Sequence, residues 1–199
     1  MSAATDHFAF FDELRRPWLD AEALKGKFLA LSAAAHPDRA HGASDAEKQK
    51  ANAHFQALNA AYNCLRDSKE RLQHLLTLEH GSKPAEIHAI LPATADLFLE
   101  VGQFCRAVDA FLAEKERASS PLLKAQLFQQ AADWSVPLGS LQKKIASQRE
   151  EAEGALRALD SEWQTGARPL DPLEQIFHRL SYLTRWQQQL QERFVRLAM

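Results

Sequence analysis

Cysteine is scarce in this chain. There are two in 199 residues, Cys64 and Cys105, far apart and in no CxxC pattern. That excludes a disulfide-built scaffold, argues against a thiolate zinc site and fits a reducing compartment. Charge of one sign is also lacking. The formal net charge is −2, so nothing in the overall balance favours a nucleic-acid partner. No apolar run approaches the length of a membrane span. The opening segment MSAATDHFAFFDELRR has neither a basic stretch nor a long apolar core, so no secretory signal is expected. Together these absences predict a cytoplasmic protein with no membrane partner. No nucleophile–base pair and no phosphate loop can be found, so no enzymatic role is expected. Glycine and proline number only 7 and 8, and no segment alternates with period two. What the chain does hold is Ala, Leu, Gln and Glu, with a 46% hydrophobic share. That composition predicts an all-α fold with a real core.

Apolar spacing places the helices. Phe8, Phe11 and Leu14 form a short stripe ended by Pro17. Asp20 is a candidate N-cap for a helix carrying Leu24, Phe28, Leu31 and Ala35, with Glu22 in its first turn. Pro37 stops that helix, because the residue before a proline is pushed out of the α region. Ser44 and Glu47 make an S-x-x-E capping box. The helix it opens has Ala51, Phe55, Leu58, Tyr62 and Leu65 on one face. Two such helices, joined by a short loop, bury their stripes against each other as an antiparallel hairpin. A further short helix carries Leu72, Leu75, Leu76 and Leu78. Gly81, Pro84 and Pro92 break the periodicity over 80–92, which is expected to be a linker.

Beyond it, residues 93–199 predict an antiparallel three-helix-type bundle. Its first stripe is Leu97, Phe98, Val101, Phe104, Cys105, Val108, Phe111 and Leu112. Ser120 caps the next helix, with Pro121 at its first position. Pro137 and Gly139 are expected to interrupt it. Leu141, Ile145, Gln148, Ala152, Leu156, Leu159 and Trp163 make another stripe, and Gly166 and Pro169 a turn. The last helix uses Leu173, Ile176, Phe177, Leu180, Leu183, Leu190, Phe194 and Leu197.

The segment AAAHPDRAHG, 33–42, sits where the hairpin turns. A proline there stiffens the exit from the first helix, with His36 and Asp38 expected to point outward. As a bare tripeptide it is a helix stop with polar neighbours. Its flanks say more. DAEALKGKFLALSAAAHPDR followed by FQALNAAYNCLRDSKERLQHLL is similar to the J-domain pattern. In that family an amphipathic helix runs into His-Pro-Asp, and the next helix reads roughly F-x-x-[IL]-N-x-A-Y-x-x-L. Phe55, Leu58, Asn59, Ala61, Tyr62 and Leu65 match that register. This resemblance covers about the first eighty residues.

A J-domain-like segment (1–79), a linker (80–92) and a helical bundle (93–199) together resemble the HscB family of iron–sulfur cluster co-chaperones. FAFF lies near that family's YF-x-LF start. ERLQHLLTLEHG resembles its domain junction, and LFLEVGQFCRAVDAFL its first bundle helix, in apolar register more than in charge. The resemblance implies that His36, Pro37, Asp38 and Arg39, with Lys25 and Lys27, contact an HscA/DnaK-type chaperone ATPase and stimulate it. The partner, not this chain, would hold nucleotide and magnesium; no cofactor is implied here. It also implies that the bundle binds an IscU-like iron–sulfur scaffold protein, through Phe98, Leu99, Gln103 and Arg106.

Departures from the family pattern keep other readings open. Three alanines precede His36, where relatives carry a basic residue, and Arg39 replaces the common lysine. Lys25 and Lys27 fit a solvated face equally well, and Phe98 also fits the core. The bundle helix has Gln103, Arg106 and Ala110 where relatives present glutamates. A J-domain co-chaperone with a different client, or a helical adaptor with a vestigial His-Pro-Asp loop, are the alternatives. His36 and His41, with Asp38 and His54 nearby, lack a zinc-ligand spacing, so no metal site is expected. Cys64 and Cys105 are expected to be inert thiols on apolar stripes. The run QKKIASQREEAEGALR mixes charges at helical spacing, as on an exposed face. Tyr182 and Trp186 form either an exposed aromatic pair or a packing contact.

Overall fold

A computed structural model describes residues 5–36, 42, 44–85 and 94–199, and among them there are helices and no strands. The helices are α1 (Ala21–Ala34), α2 (Asp45–Arg66), α3 (Ser68–His80), α4 (Ala95–Arg117), α5 (Pro121–Ala131), α6 (Ser135–Gln164) and α7 (Leu170–Ala198). The expected all-α class is what the chain adopts. Two compact units form. The first takes Met1–Ala85 with Ala155–Phe177, the second Glu86–Gly154 with His178–Met199. The long helices α6 and α7 thus contribute to both.

In the first unit, local signals act where the sequence puts them. The Asp20 carboxylate accepts from the Ala23 amide and caps α1. Ser44 and Glu47 close a full capping box on α2. Asp67 caps α3, which ends on Gly81 in the left-handed conformation that glycine adopts without penalty. Phe28 of α1 stacks on Tyr62 of α2 at 4.1 Å, while His36 meets Phe55 at 5.7 Å. Contacts that descend α2 as they ascend α1 are those of an antiparallel hairpin. Phe8, Phe11, Leu58, Leu65, Leu72, Leu75 and Leu76 fill the core. Leu14 does not join its expected stripe. Only a 3-10 turn, Ala9–Phe11, forms there, and it leaves Leu14 82% exposed.

Polar ties complete this unit. The buried Arg71 guanidinium donates to the Pro17 carbonyl (2.9 Å), the Leu65 carbonyl (2.6 Å) and Ser68 Oγ (3.0 Å). It binds the segment before α1 to the junction of α2 and α3. Asp160, buried near the end of α6, accepts from Arg16 through both carboxylate oxygens, from Gln164 and from the Trp18 amide. Burial opposes its charge, but these donors outweigh burial and hold its carboxyl below the usual carboxylate range. Trp163 Nε1 donates to the Arg15 carbonyl at 2.7 Å, and Arg157 lies over the Trp18 ring.

The second unit is packed on apolar stripes. Leu97, Val101, Phe104, Val108 and Leu112 of α4 meet Leu138, Leu141 and Ile145 of α6 and Leu183, Trp186 and Leu190 of α7 in one cluster. Two expectations need correction here. The interruption before α6 is a 3-10 turn, Ala132–Trp134, and α6 then runs through Pro137 and Gly139. Proline is tolerated because it falls in the first helical turn, where its missing N–H has no partner to lose. Phe194 is 45% exposed rather than in the core. Trp186 is 4% exposed, so the Tyr182–Trp186 pair, 5.9 Å apart, is a packing contact and not an open aromatic surface. Charges ring the unit: Lys144 pairs with Glu100 at 2.5 Å and Arg193 with Asp109 at 2.6 Å. Among the described residues no helix is long and apolar enough to cross a membrane.

Candidate functional site

The first candidate site lies where α1 ends. The helix closes at Ala34; the Ala35 amide still donates to the Leu31 carbonyl, and the chain then leaves the helical path. The next residue, His36, is exposed, and its ring lies at 72° to Phe55 of α2. An edge-on aromatic contact of this kind sets the direction of an imidazole without burying it. Pro37, Asp38, Arg39 and His41 lie outside the described residues. On the far side Ser44 and its capping box restart the chain as α2. The described caps on either side are thus Ala35, the C-cap of α1, and Ser44, the N-cap of α2.

The two lysines of α1 are differently placed. Lys25 is exposed and lies 3.6 Å from Glu22, one turn away. Such a pair restrains the ammonium little. Lys27 instead turns toward the segment before α1. Its Nζ donates to the Phe11 carbonyl at 3.1 Å and to Glu13 at 2.6 Å. No helical spacing in the sequence reveals that second engagement, since Glu13 lies outside α1.

The second candidate site is on α4. At 100° per residue, Phe98, Leu99, Gln103 and Arg106 fall within a 140° arc, so the structure brings these four to one helix face. Phe98 is 38% exposed and has its other side against Trp186, at 6.3 Å; it is half core and half surface. Leu99 is 56% exposed, and Gln103 and Arg106 are exposed beside it. The face is apolar at its N-terminal end and carries a cation, not a carboxylate, at the other.

Burial pushes the Cys64 thiol up to about 11 and also raises Cys105, where nearby Arg193 only partly opposes it. Neither thiol is poised as a nucleophile at neutral pH. Among the described residues, the group with metal-ligand chemistry is not near His36 at all. It joins His7, Cys64 and His74, which no spacing motif connects.

No family model matches the chain. A co-chaperone protein HscB homolog from Ralstonia nicotianae is 35% identical over 91 residues, which are 46% of this chain and 52% of that protein. One from Bordetella petrii is 41% identical over 73 residues, 37% of this chain and 43% of that protein. The matched segment thus spans about half the length of the curated relatives. Two crystal-structure-level likenesses extend over nearly all of the chain. Human co-chaperone protein HscB superposes with a TM-score of 0.63 at 18% identity, covering 96% of this chain and 83% of that one. HscB from Vibrio cholerae does so with a TM-score of 0.51 at 22% identity, covering 94% and 99%. These two show that the fold is shared. In sequence over part of its length, and in fold over most of it, the chain is similar to HscB-type co-chaperones.

Proposed function

We propose, from that similarity, that this chain is a J-domain co-chaperone that stimulates the ATPase of an HscA/DnaK-type chaperone and delivers an IscU-like iron–sulfur scaffold protein to it. It acts on another protein's nucleotide site and is not itself an enzyme. The proposed division of labour is a J-domain over 1–79, a linker over 80–92 and a client-binding bundle over 93–199, working in the cytoplasm. One observation carries the reading: His36 stands exposed where α1 ends, steadied by Phe55, directly ahead of Pro37 and Asp38. Binding energy from the motif biases the partner's conformation to the extent that the motif binds one state of the partner better than the other.

In this mechanism His36, Pro37, Asp38 and Arg39 touch the chaperone and Lys25 steers the encounter. Lys27 contributes less, because Glu13 already neutralises it. A thin basic face lowers the association rate and its salt dependence more than the final affinity. The α4 face of Phe98, Leu99, Gln103 and Arg106 holds the scaffold. Holding both partners raises the scaffold's local concentration at the chaperone.

Steady-state ATP turnover by the chaperone tests the first half. The full chain accelerates it, and His36→Gln abolishes the acceleration. Equal acceleration by the variant, or none by the wild type, would overturn it. A pull-down with the scaffold tests the second half, with Leu99→Ser as the weakening variant. The cation at Arg106, where relatives carry acids, favours the second reading, a co-chaperone with another client. Stimulation without scaffold binding at micromolar concentration would select it. Scaffold binding without stimulation would select the adaptor with a vestigial loop.

A further inference from the structure

We propose that His7, Cys64 and His74 form a binding site for one borderline-soft divalent cation of the Zn²⁺ class. The site lies wholly within the first unit and is independent of the co-chaperone reading. Each residue offers one ligand atom, and the three atoms all lie within 4.8 Å of one another. Around a tetrahedral zinc with bonds of about 2.0 Å to nitrogen and 2.3 Å to sulfur, two nitrogens and a sulfur stand roughly 3.3–3.5 Å apart. Closing from the observed spacing needs a contraction of at most about 1.5 Å, which side-chain rotations can supply.

Three different elements supply the ligands. His7 lies in the segment ahead of the 3-10 turn, Cys64 in the last turn of α2 and His74 in the middle of α3. The two imidazoles already lie side by side, with ring centroids 4.4 Å apart. His7 Nδ1 is buried with no hydrogen-bond partner, an arrangement that leaves a desolvated ring nitrogen uncompensated. A coordinate bond would satisfy it. A cavity of about 430 Å³ opens beside the cluster and also reaches Glu70, Gln73 and Lys83, so water can occupy a fourth position.

The donor set selects the metal. Two imidazoles and a thiolate suit zinc and its neighbours, whereas calcium and magnesium require oxygen ligands. Binding exchanges existing weak contacts. Cys64 Sγ now donates toward the Glu70 carbonyl at 3.6 Å; on coordination its proton goes to solvent and the thiolate binds. The His7 amide now donates to His74 Nε2 at 3.0 Å, and coordination through that atom releases the amide. The bound ion would pin the N-terminal segment to α2 and α3.

Zn²⁺ alone, titrated calorimetrically into the reduced full chain, is expected to bind with one equivalent. Co²⁺ in its place is expected to show a thiolate-to-metal charge-transfer band. Cys64→Ser should remove the band and weaken binding by at least about tenfold, as should His7→Gln for affinity. Cys105→Ser should leave both unchanged. Amide NMR of the wild type should show the His7 resonance moving on loading, a readout that does not depend on any variant folding. No band and no His7 shift in the wild type, or an affinity unchanged in Cys64→Ser, would overturn the proposal.

Discussion

The two units reach stability by different means. The first buries an arginine and an aspartate, Arg71 and Asp160, and uses them to tie distant segments together. The second buries Thr94 and His178 but no carboxylate or guanidinium among its described residues. Its ion pairs stand at the rim of an apolar cluster. Apolar packing is tolerant of small shifts, whereas a hydrogen-bonded guanidinium accepts few geometries. In the unit that carries His36, buried directional bonds help to set the register.

Substitutions can break or sharpen this contrast. The largest effect should come from Arg71→Ala. It strands the Pro17 and Leu65 carbonyls, and urea denaturation should show a loss of about 3 kcal/mol. A cost as small as that of a rim residue would erase the distinction. Next comes Asp160→Asn, which leaves Arg16 partly uncompensated and should cost about 2 kcal/mol at pH 7.

That aspartate also carries a pH signature. Its folded carboxyl lies below the unfolded value of 3.8. Its stabilisation is therefore full above that value and is lost as pH falls through the folded one. Denaturation midpoints measured from pH 7 down to about 3 should fall in the wild type. Asp160→Asn should flatten part of that fall. An equally steep profile in the variant would assign the acid sensitivity elsewhere.

Smaller still is Ser44→Ala. It removes the capping box that restarts the chain after the turn and should cost about 1 kcal/mol. Because α2 carries Phe55, the same change should also reduce chaperone stimulation, if His36 depends on that helix for its placement. Least of all, Lys144→Ala in the second unit should cost about 0.5 kcal/mol, since Lys144 and Glu100 are both about half exposed and the pair is screened by solvent.

Much of the first unit was legible from residues alone. Asp20, Ser44 and Glu47 announce their caps within four positions, and Phe55, Leu58, Tyr62 and Leu65 declare a helical face by spacing. The bundle stripes were legible for the same reason. Trp186 was ambiguous because an aromatic at the edge of a stripe can face either way until a neighbour such as Phe98 is placed. Leu14 and Phe194 were misplaced because periodicity identifies a face and not how far the covering elements extend over it.

Signals that span three or four residues are written into the chain, because a helix turn brings those positions together whatever the remainder does. The sequence by itself thus determined most of the helices, the caps at Asp20 and Ser44, and the end of α1 ahead of His36. Only tertiary structure decided that Lys27 is held by Glu13, that Asp160 grips Arg16 across 144 positions, and that His7 meets His74 across 67. No periodicity encodes pairs so far apart; they exist only once packed helices have fixed where each segment lies.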